Sequence, residues 1–428
     1  MSDLDIHTPW IEPDRWYLDP NVCFLNHGSF GACPQVILET QREIHYELER
    51  APIRFMLQRL PHLTHEARKH LGRFLNTSPD HLVFVSNASE GVATVLDALP
   101  WRAGDEVVLS QDSYPACRHM LTELARRHQL TLKIAHTPFA DEDPMTAEAG
   151  LSWDQRIYEA FKAQCTDRTR LLLIDHITSP TALVYPAHKL IGLARDVGAV
   201  SLVDGAHAPG QLALDLDALG ADFYVGNLHK WVFTPKSCAF LYATPKWRSS
   251  LLPRVISHGY LADEEYRYHS LFDWVGTRDY SAMCVLPDAL SWVTRHGGFK
   301  RLRARNHRLI RAARALVCAR IWSTGQPQLP PHQSLGHMAA IPLPPLLAQD
   351  RPDVDEKSAV GSASSAPLHS TQRWLNSRHV EAPVIKTPHG VMLRISAQAY
   401  NALSDYQTLA DQLAELQEII DGGDQINR

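Results

Sequence analysis

The chain has 428 residues, 21% of them charged, and a formal net charge of -5. That length exceeds one ordinary domain and is ample to bury a core. A slight negative balance with no long basic run argues against a nucleic-acid or membrane-surface partner and leaves a small polar substrate as the expectation.

The seven cysteines are scattered with no CxxC spacing, and an odd count does not suggest a disulfide framework. They read as thiols of a reducing cytosol, and nothing in their spacing calls for a metal. The first residues, MSDLDIHTPW, lack a basic stretch followed by an apolar one, and no run approaches a membrane span. A cytoplasmic protein without a membrane or nucleic-acid partner is expected.

In chain order, residues 1–40 read as an arm. Within it, Phe24-Leu25-Asn26-His27-Gly28-Ser29-Phe30-Gly31 runs from apolar residues into a glycine-punctuated turn, either tucked against a ligand or a simple turn. Residues 39–75 show helical spacing broken near Ala51-Pro52 and at Pro61. The strand His81–Val85 ends in Ser86-Asn87-Ala88-Ser89-Glu90-Gly91 before a helical run, Val92 to Leu99. A strand, a small-residue turn and a helix start make an anion site, because first-turn amides are unpaired there; Asn87 or Ser89 could equally be only an N-cap.

Strands and helices then alternate. Strands are expected at 106–110, 132–136, 170–175, 200–204, 223–225 and 239–242, with helices between most of them. With the strand before them, this is the pattern of a seven-stranded, mostly parallel α/β sheet. Its strand ends carry polar clusters at 111–114, 175–181 and 204–207. Two of these ends matter most: Val203 runs into Asp204, and Phe223-Tyr224-Val225 runs toward His229-Lys230. Released at one carboxyl edge, an acid and a lysine would share a crevice. Pyridoxal 5′-phosphate (PLP) needs such a pair, a lysine to form a Schiff base and a carboxylate to keep the ring nitrogen protonated. Taken alone, the same residues also fit a solvated lysine and a turn aspartate.

Four further runs bear on that choice: DHITSPTALVYP (175–186), VDGAHAPGQLALDLDALGADFYVGNLHKW (203–231), DWVGTRDYSA (273–282) and LRISAQAYN (393–401). Together they resemble the class V aminotransferase family of fold-type I PLP enzymes, in its isopenicillin-N-epimerase-like branch. The resemblance implies a large cofactor domain (41–290) and a smaller α+β C-terminal domain (291–428), interrupted by an irregular insertion at about 346–367. It further implies Lys230 as the Schiff-base lysine, Asp204 at the ring nitrogen, His207 beside the ring or the lysine, and Ala88 and Ser89 at the phosphate. Thr277 would reach the phosphate of a neighbouring subunit, giving a homodimer with shared sites. Arg394 would clamp a substrate carboxylate, with Asn26 and His27 facing the substrate and His229 near the cofactor.

Two positions depart from the family pattern. Asp112 stands where a ring-stacking histidine is common, leaving Tyr114 as the stacking candidate, and Ser179 stands where many relatives carry an asparagine toward the ring hydroxyl. His176 and Thr178 read as supporting groups, and Cys117 and Cys238 carry no assigned role. The basic helical stretch 300–320 reads as a solvated face, 391–396 as a strand and 405–420 as a final helix.

The activity implied is chemistry at Cα of an amino-acid-type substrate. Epimerisation is the first expectation, β-elimination from a C–S substrate the alternative, and transamination a third. A degenerate binding subunit is the non-enzyme alternative, against which Asp204, Lys230 and Arg394 stand together. No cysteine lies between Cys318 and Arg394, which argues against a persulfide-forming desulfurase.

Overall fold

A computed structural model describes residues 4–140, 151–261, 263–351 and 368–426. A short strand, β1 (Cys23–Phe24), precedes the strands of the main sheet: β2 (Leu82–Val85), β3 (Glu106–Ser110), β4 (Thr131–Ala135), β5 (Thr169–Asp175), β6 (Val200–Asp204), β7 (Phe223–Asn227) and β8 (Ala239–Ala243). They form one seven-stranded sheet in the order β2-β8-β7-β6-β5-β3-β4. Only β8 runs against its neighbours.

Near-continuous apolar strands suit this sheet because both faces are covered. Alternation sorts each strand between two cores: Phe84, Leu172, Val203 and Tyr224 pack on one face, and Val83, Leu171, Leu202 and Val225 on the other. In parallel register Asp175 lies beside Asp204, and Asp204 beside Val225. Polar residues at the ends of these strands therefore gather at one edge.

The helix after β2 spans Ala88–Ala98, starting four residues earlier than its periodicity predicts. Capping explains the difference. The Asn87 side chain accepts from the Glu90 N–H (2.9 Å), while Glu90 accepts from the Ser86 N–H (2.7 Å). Ala88 and Ser89 thus sit in the helix's first turn.

A second sheet is built from β9 (Met338–Pro342), β11 (Val384–Thr387) and β12 (Gly390–Ser396), while a short β10 (Val380–Glu381) pairs only with β1. Its three strands are ordered β11-β12-β9 and antiparallel. Along β12, Leu393 and Ile395 point into a core shared with the helices Gly298–Ile321 and Leu403–Ile426. Met392, on the opposite face, joins the core of the large sheet. Arg394 shares that second face by the two-residue period of a strand.

The helix Gly298–Ile321 corrects the expectation of a wholly solvated basic face. Arg305 and Arg314 are buried and donate to main-chain carbonyls, Arg305 to Gln398 (3.0 Å) and Arg314 to Pro330 (2.9 Å). A guanidinium with its donors satisfied in this way can be buried, and it ties the helix to neighbouring loops. The expected insertion falls largely on 352–367, which lie outside the described residues. No helix among the described residues is long and apolar enough to cross a membrane.

Candidate active site

The carboxyl edge of the large sheet opens into a cavity of about 450 Å³. Its lining includes Lys230, Asp204, His207, Ala88, Ser89, Tyr114, Ser179 and His229. The strand ends and the start of the helix Ala88–Ala98 thus bring together most of the residues singled out from the sequence.

Asp204 ends β6, is 4% exposed and accepts from the Ala206 N–H (3.0 Å) and the Cys117 thiol (3.4 Å). Its neighbour Asp175 accepts from the Ser113 hydroxyl (2.7 Å) and the Tyr114 N–H (3.4 Å). Burial, then the adjacent Asp204, raises Asp175 to about 8. Burial raises Asp204 as well, with its hydrogen bonds and Lys230 opposing; two buried carboxylates side by side cannot both ionise easily, and Asp175, which feels the Asp204 charge, is the one that holds the proton.

Lys230 faces the cavity with its Nζ 3.3 Å from His207 Nε2. Burial and the Arg394 charge lower its amine to about 7, with Asp204 opposing. A substantial fraction is therefore the neutral nucleophile at neutral pH. The turn at Gly31 crosses directly over the Lys230 backbone, where its φ of 73° and missing Cβ are both required.

At the start of the helix Ala88–Ala98, the Ala88 N–H donates to Asn227 Oδ1 (2.9 Å), and Ser86 Oγ accepts from Arg278 (2.9 Å). Asn227 and Arg278 were not singled out from the sequence. Asn227 stands at a strand end three residues before the lysine, a signal that could have found it; Arg278 follows Thr277 in the run 273–282, but it meets Ser86 only through tertiary packing.

Arg394 is 4% exposed and sits behind Ser29 and Ser179 on the cavity wall. It donates to the Ser179 carbonyl (2.6 Å) and hydroxyl (3.2 Å), to Ser29 Oγ (2.9 Å) and to Asn26 Oδ1 (3.4 Å). None of these partners is a carboxylate, and its Nε has no partner among the described residues. Burial depresses it to about 10. A guanidinium held in this way has unspent affinity for an anion.

Some expected contacts are not formed. His27 does not reach the cavity: it is fully buried, with Nε2 2.8 Å from the Lys230 carbonyl and Nδ1 2.8 Å from the Tyr400 hydroxyl. The turn packs it beneath the lysine instead of above the substrate. Asn26 reaches the site only through Arg394 and through Ser29, whose hydroxyl donates to it (2.6 Å). Thr277 is exposed and outside the cavity of its own chain. Asp112 is buried against Thr137 (3.0 Å), Tyr185 (3.0 Å) and His389 (3.2 Å) and does not line the cavity, whereas Tyr114 does. His229 lines it but directs Nδ1 to the Cys238 carbonyl (3.0 Å).

An amine, a carboxylate and a helix start around one cavity, with a guanidinium behind its wall that has no carboxylate partner, fit PLP, and the volume suits a small cofactor with its substrate. The chain belongs to the class V aminotransferase family, whose sequence model matches residues 24–409. It is a PLP-dependent enzyme of that family, with the cofactor's fold-type I architecture. It is 32% identical to isopenicillin N epimerase of Streptomyces clavuligerus, over 94% of this chain and 96% of that protein. It is equally 32% identical to a probable chloroplastic L-cysteine desulfhydrase of Arabidopsis thaliana, over 94% of this chain and 84% of that one. Among solved structures, the cystine C–S lyase C-DES in complex with cysteine persulfide matches with a TM-score of 0.72 at 20% identity, covering 92% of this chain and 98% of that one.

Proposed function

We propose that this enzyme inverts the configuration at Cα of an amino acid, or of an amino-acid group within a larger molecule. The observation that carries the reading is Arg394, buried beside the lysine cavity without an anionic partner. A substrate carboxylate bound there turns the Cα–H bond toward Lys230. PLP, when bound, supplies an aldehyde for the substrate amine and a conjugated ring that takes up the electron pair left at Cα.

The chain's own residues do the rest. Asp204 holds the proton of the ring nitrogen, and Ser89 holds the phosphate in the first turn of the helix, which Ala88 opens with its own N–H given to Asn227. Lys230 removes the Cα proton, its low pKa suiting it to act as a base near neutrality. Inversion requires a proton from a second group. Tyr114 is assigned as that donor, because it lines the cavity and a phenol is protonated near neutrality. The near full-length match to an epimerase supports the inversion reading.

A second reading is direct β-elimination from a cysteine-type substrate, which the desulfhydrase match favours. It uses the same residues up to loss of the Cα proton. The active form in either case is a homodimer in which Thr277 reaches the partner's cofactor phosphate, a role compatible with its exposure.

The test is incubation of the holoenzyme in D₂O with a panel of L-amino acids and S-substituted cysteines. Deuterium at Cα in both configurations, without pyruvate, is the expected result. Stoichiometric pyruvate would replace inversion with elimination. No Cα exchange with any carboxylate-bearing amine would overturn both.

A further inference from the structure

We propose that Trp231 is a positioning residue that fixes His207 in the Nε2–H tautomer, so that His207 meets Lys230 and the cofactor as a hydrogen-bond donor and not as a base. An indole nitrogen can only donate. Trp231 Nε1 lies 3.4 Å from His207 Nδ1, so that ring nitrogen must offer its lone pair. Burial and the neighbouring Lys230 and Arg394 charges keep the imidazole neutral. A neutral imidazole with an accepting Nδ1 has its one proton on Nε2.

Nε2 is the atom 3.3 Å from Lys230 Nζ. A neutral lysine amine accepts that proton in a hydrogen bond, and once the amine is engaged elsewhere the same N–H is free for an oxygen acceptor on the cofactor ring.

The surroundings hold both rings in this relation. Trp231 is among the largest fully buried side chains, with its ring centroid 4.8 Å from that of His27 and 5.5 Å from that of His337. Gly210 has a φ of 91°, and a Cβ there would run into the Trp231 main chain, so the turn after His207 folds directly onto the tryptophan. Gln211 completes the brace: it donates to the His207 carbonyl (2.9 Å) and accepts from the His337 N–H (2.5 Å). The tautomer does not depend on whether the enzyme inverts or eliminates. It removes His207 from the candidates for the substrate's base in either case.

The experiment is ¹⁵N-histidine NMR of the holoenzyme, with the His207 signal assigned by its loss in His207→Gln. We expect the wild-type ring to carry its proton on Nε2. Trp231→Phe should release the ring to a tautomer mixture, shift the absorption maximum of bound PLP and weaken PLP affinity about fivefold, as for loss of one neutral hydrogen bond. If Trp231→Phe does not fold, benzothienylalanine at position 231 replaces the N–H with sulfur at nearly the same shape. In the His207→Gln background either change should leave the absorption maximum where His207→Gln alone puts it. A wild-type ring protonated on Nδ1, an unchanged tautomer after loss of the indole N–H, or an equal spectral shift in the His207→Gln background would overturn the assignment.

Discussion

The two cationic ends of the cavity are built in opposite ways. The Lys230 end is local: Asp204, His207 and Lys230 lie within one run of sequence, delivered by β6 and β7 in a fixed register. The Arg394 end is assembled from a distance, since Arg394 meets Ser29 across 365 residues and Ser179 across 215. The first end is set by the geometry of the sheet. The second is set by packing a small sheet and an N-terminal turn against the large one; if it binds the substrate as proposed, it is the part more open to change in specificity.

Lys230→Ala breaks the local end outright. It should lower turnover on the order of a thousandfold, as for loss of a catalytic base, and abolish the lysine-linked absorption band. Arg394→Ala breaks the distant end while leaving that band in place. Substrate affinity should fall about 10- to 100-fold, the scale of a charge-assisted hydrogen-bonded pair, and the substrate-free holoenzyme should keep its lysine-linked band. A lost band in Arg394→Ala would mean that the two ends are not separable.

Stability against pH sharpens the comparison in cofactor-stripped protein. Lys230 is held near 7 when folded, against an ordinary value of about 10.4. Between those values the unfolded chain binds the extra proton, so stability rises with pH, and Lys230→Met should remove that rise in thermal melts. Asp175 has the opposite sign, held up at about 8 when folded. From its ordinary value of about 3.9 up to about 8 the folded chain binds more protons, so stability falls as pH rises, and Asp175→Asn should flatten that fall. The smallest effect is expected from Ser29→Ala. It removes one of several acceptors around Arg394 and should raise KM only about fivefold with kcat unchanged.

The seven strands were legible because each is a short apolar run between polar turns, and their carboxyl edge was legible because parallel α/β sheets place ligands there. The placement of the lysine and its aspartate follows from that rule. His27 shows where the rule stops. Its residue type and glycine-rich surroundings suit a substrate loop, but whether a turn faces a cavity or packs beneath it depends on what lies across from it, here Lys230 and Tyr400. Asn227 could have been reached from its strand end, whereas Arg278, though it follows Thr277 in the run 273–282, meets Ser86 only across 192 residues of chain.

By itself the sequence determined the α/β sheet, because hydrophobic period and strand-end position are properties of short segments, while the cofactor and the roles of Lys230 and Asp204 came from the family resemblance carried by four longer runs. The tertiary structure alone decided which charges are left unpaired and which ring nitrogen carries a proton. Arg394 lacks a carboxylate only because distant serines and carbonyls surround it, Asp175 keeps a proton because the fold buries it and the register sets Asp204 beside it, and His207 presents Nε2 only where the fold brings the Trp231 indole to its other nitrogen. Burial and long-range contact set these states, and neither is written in any single stretch of the chain.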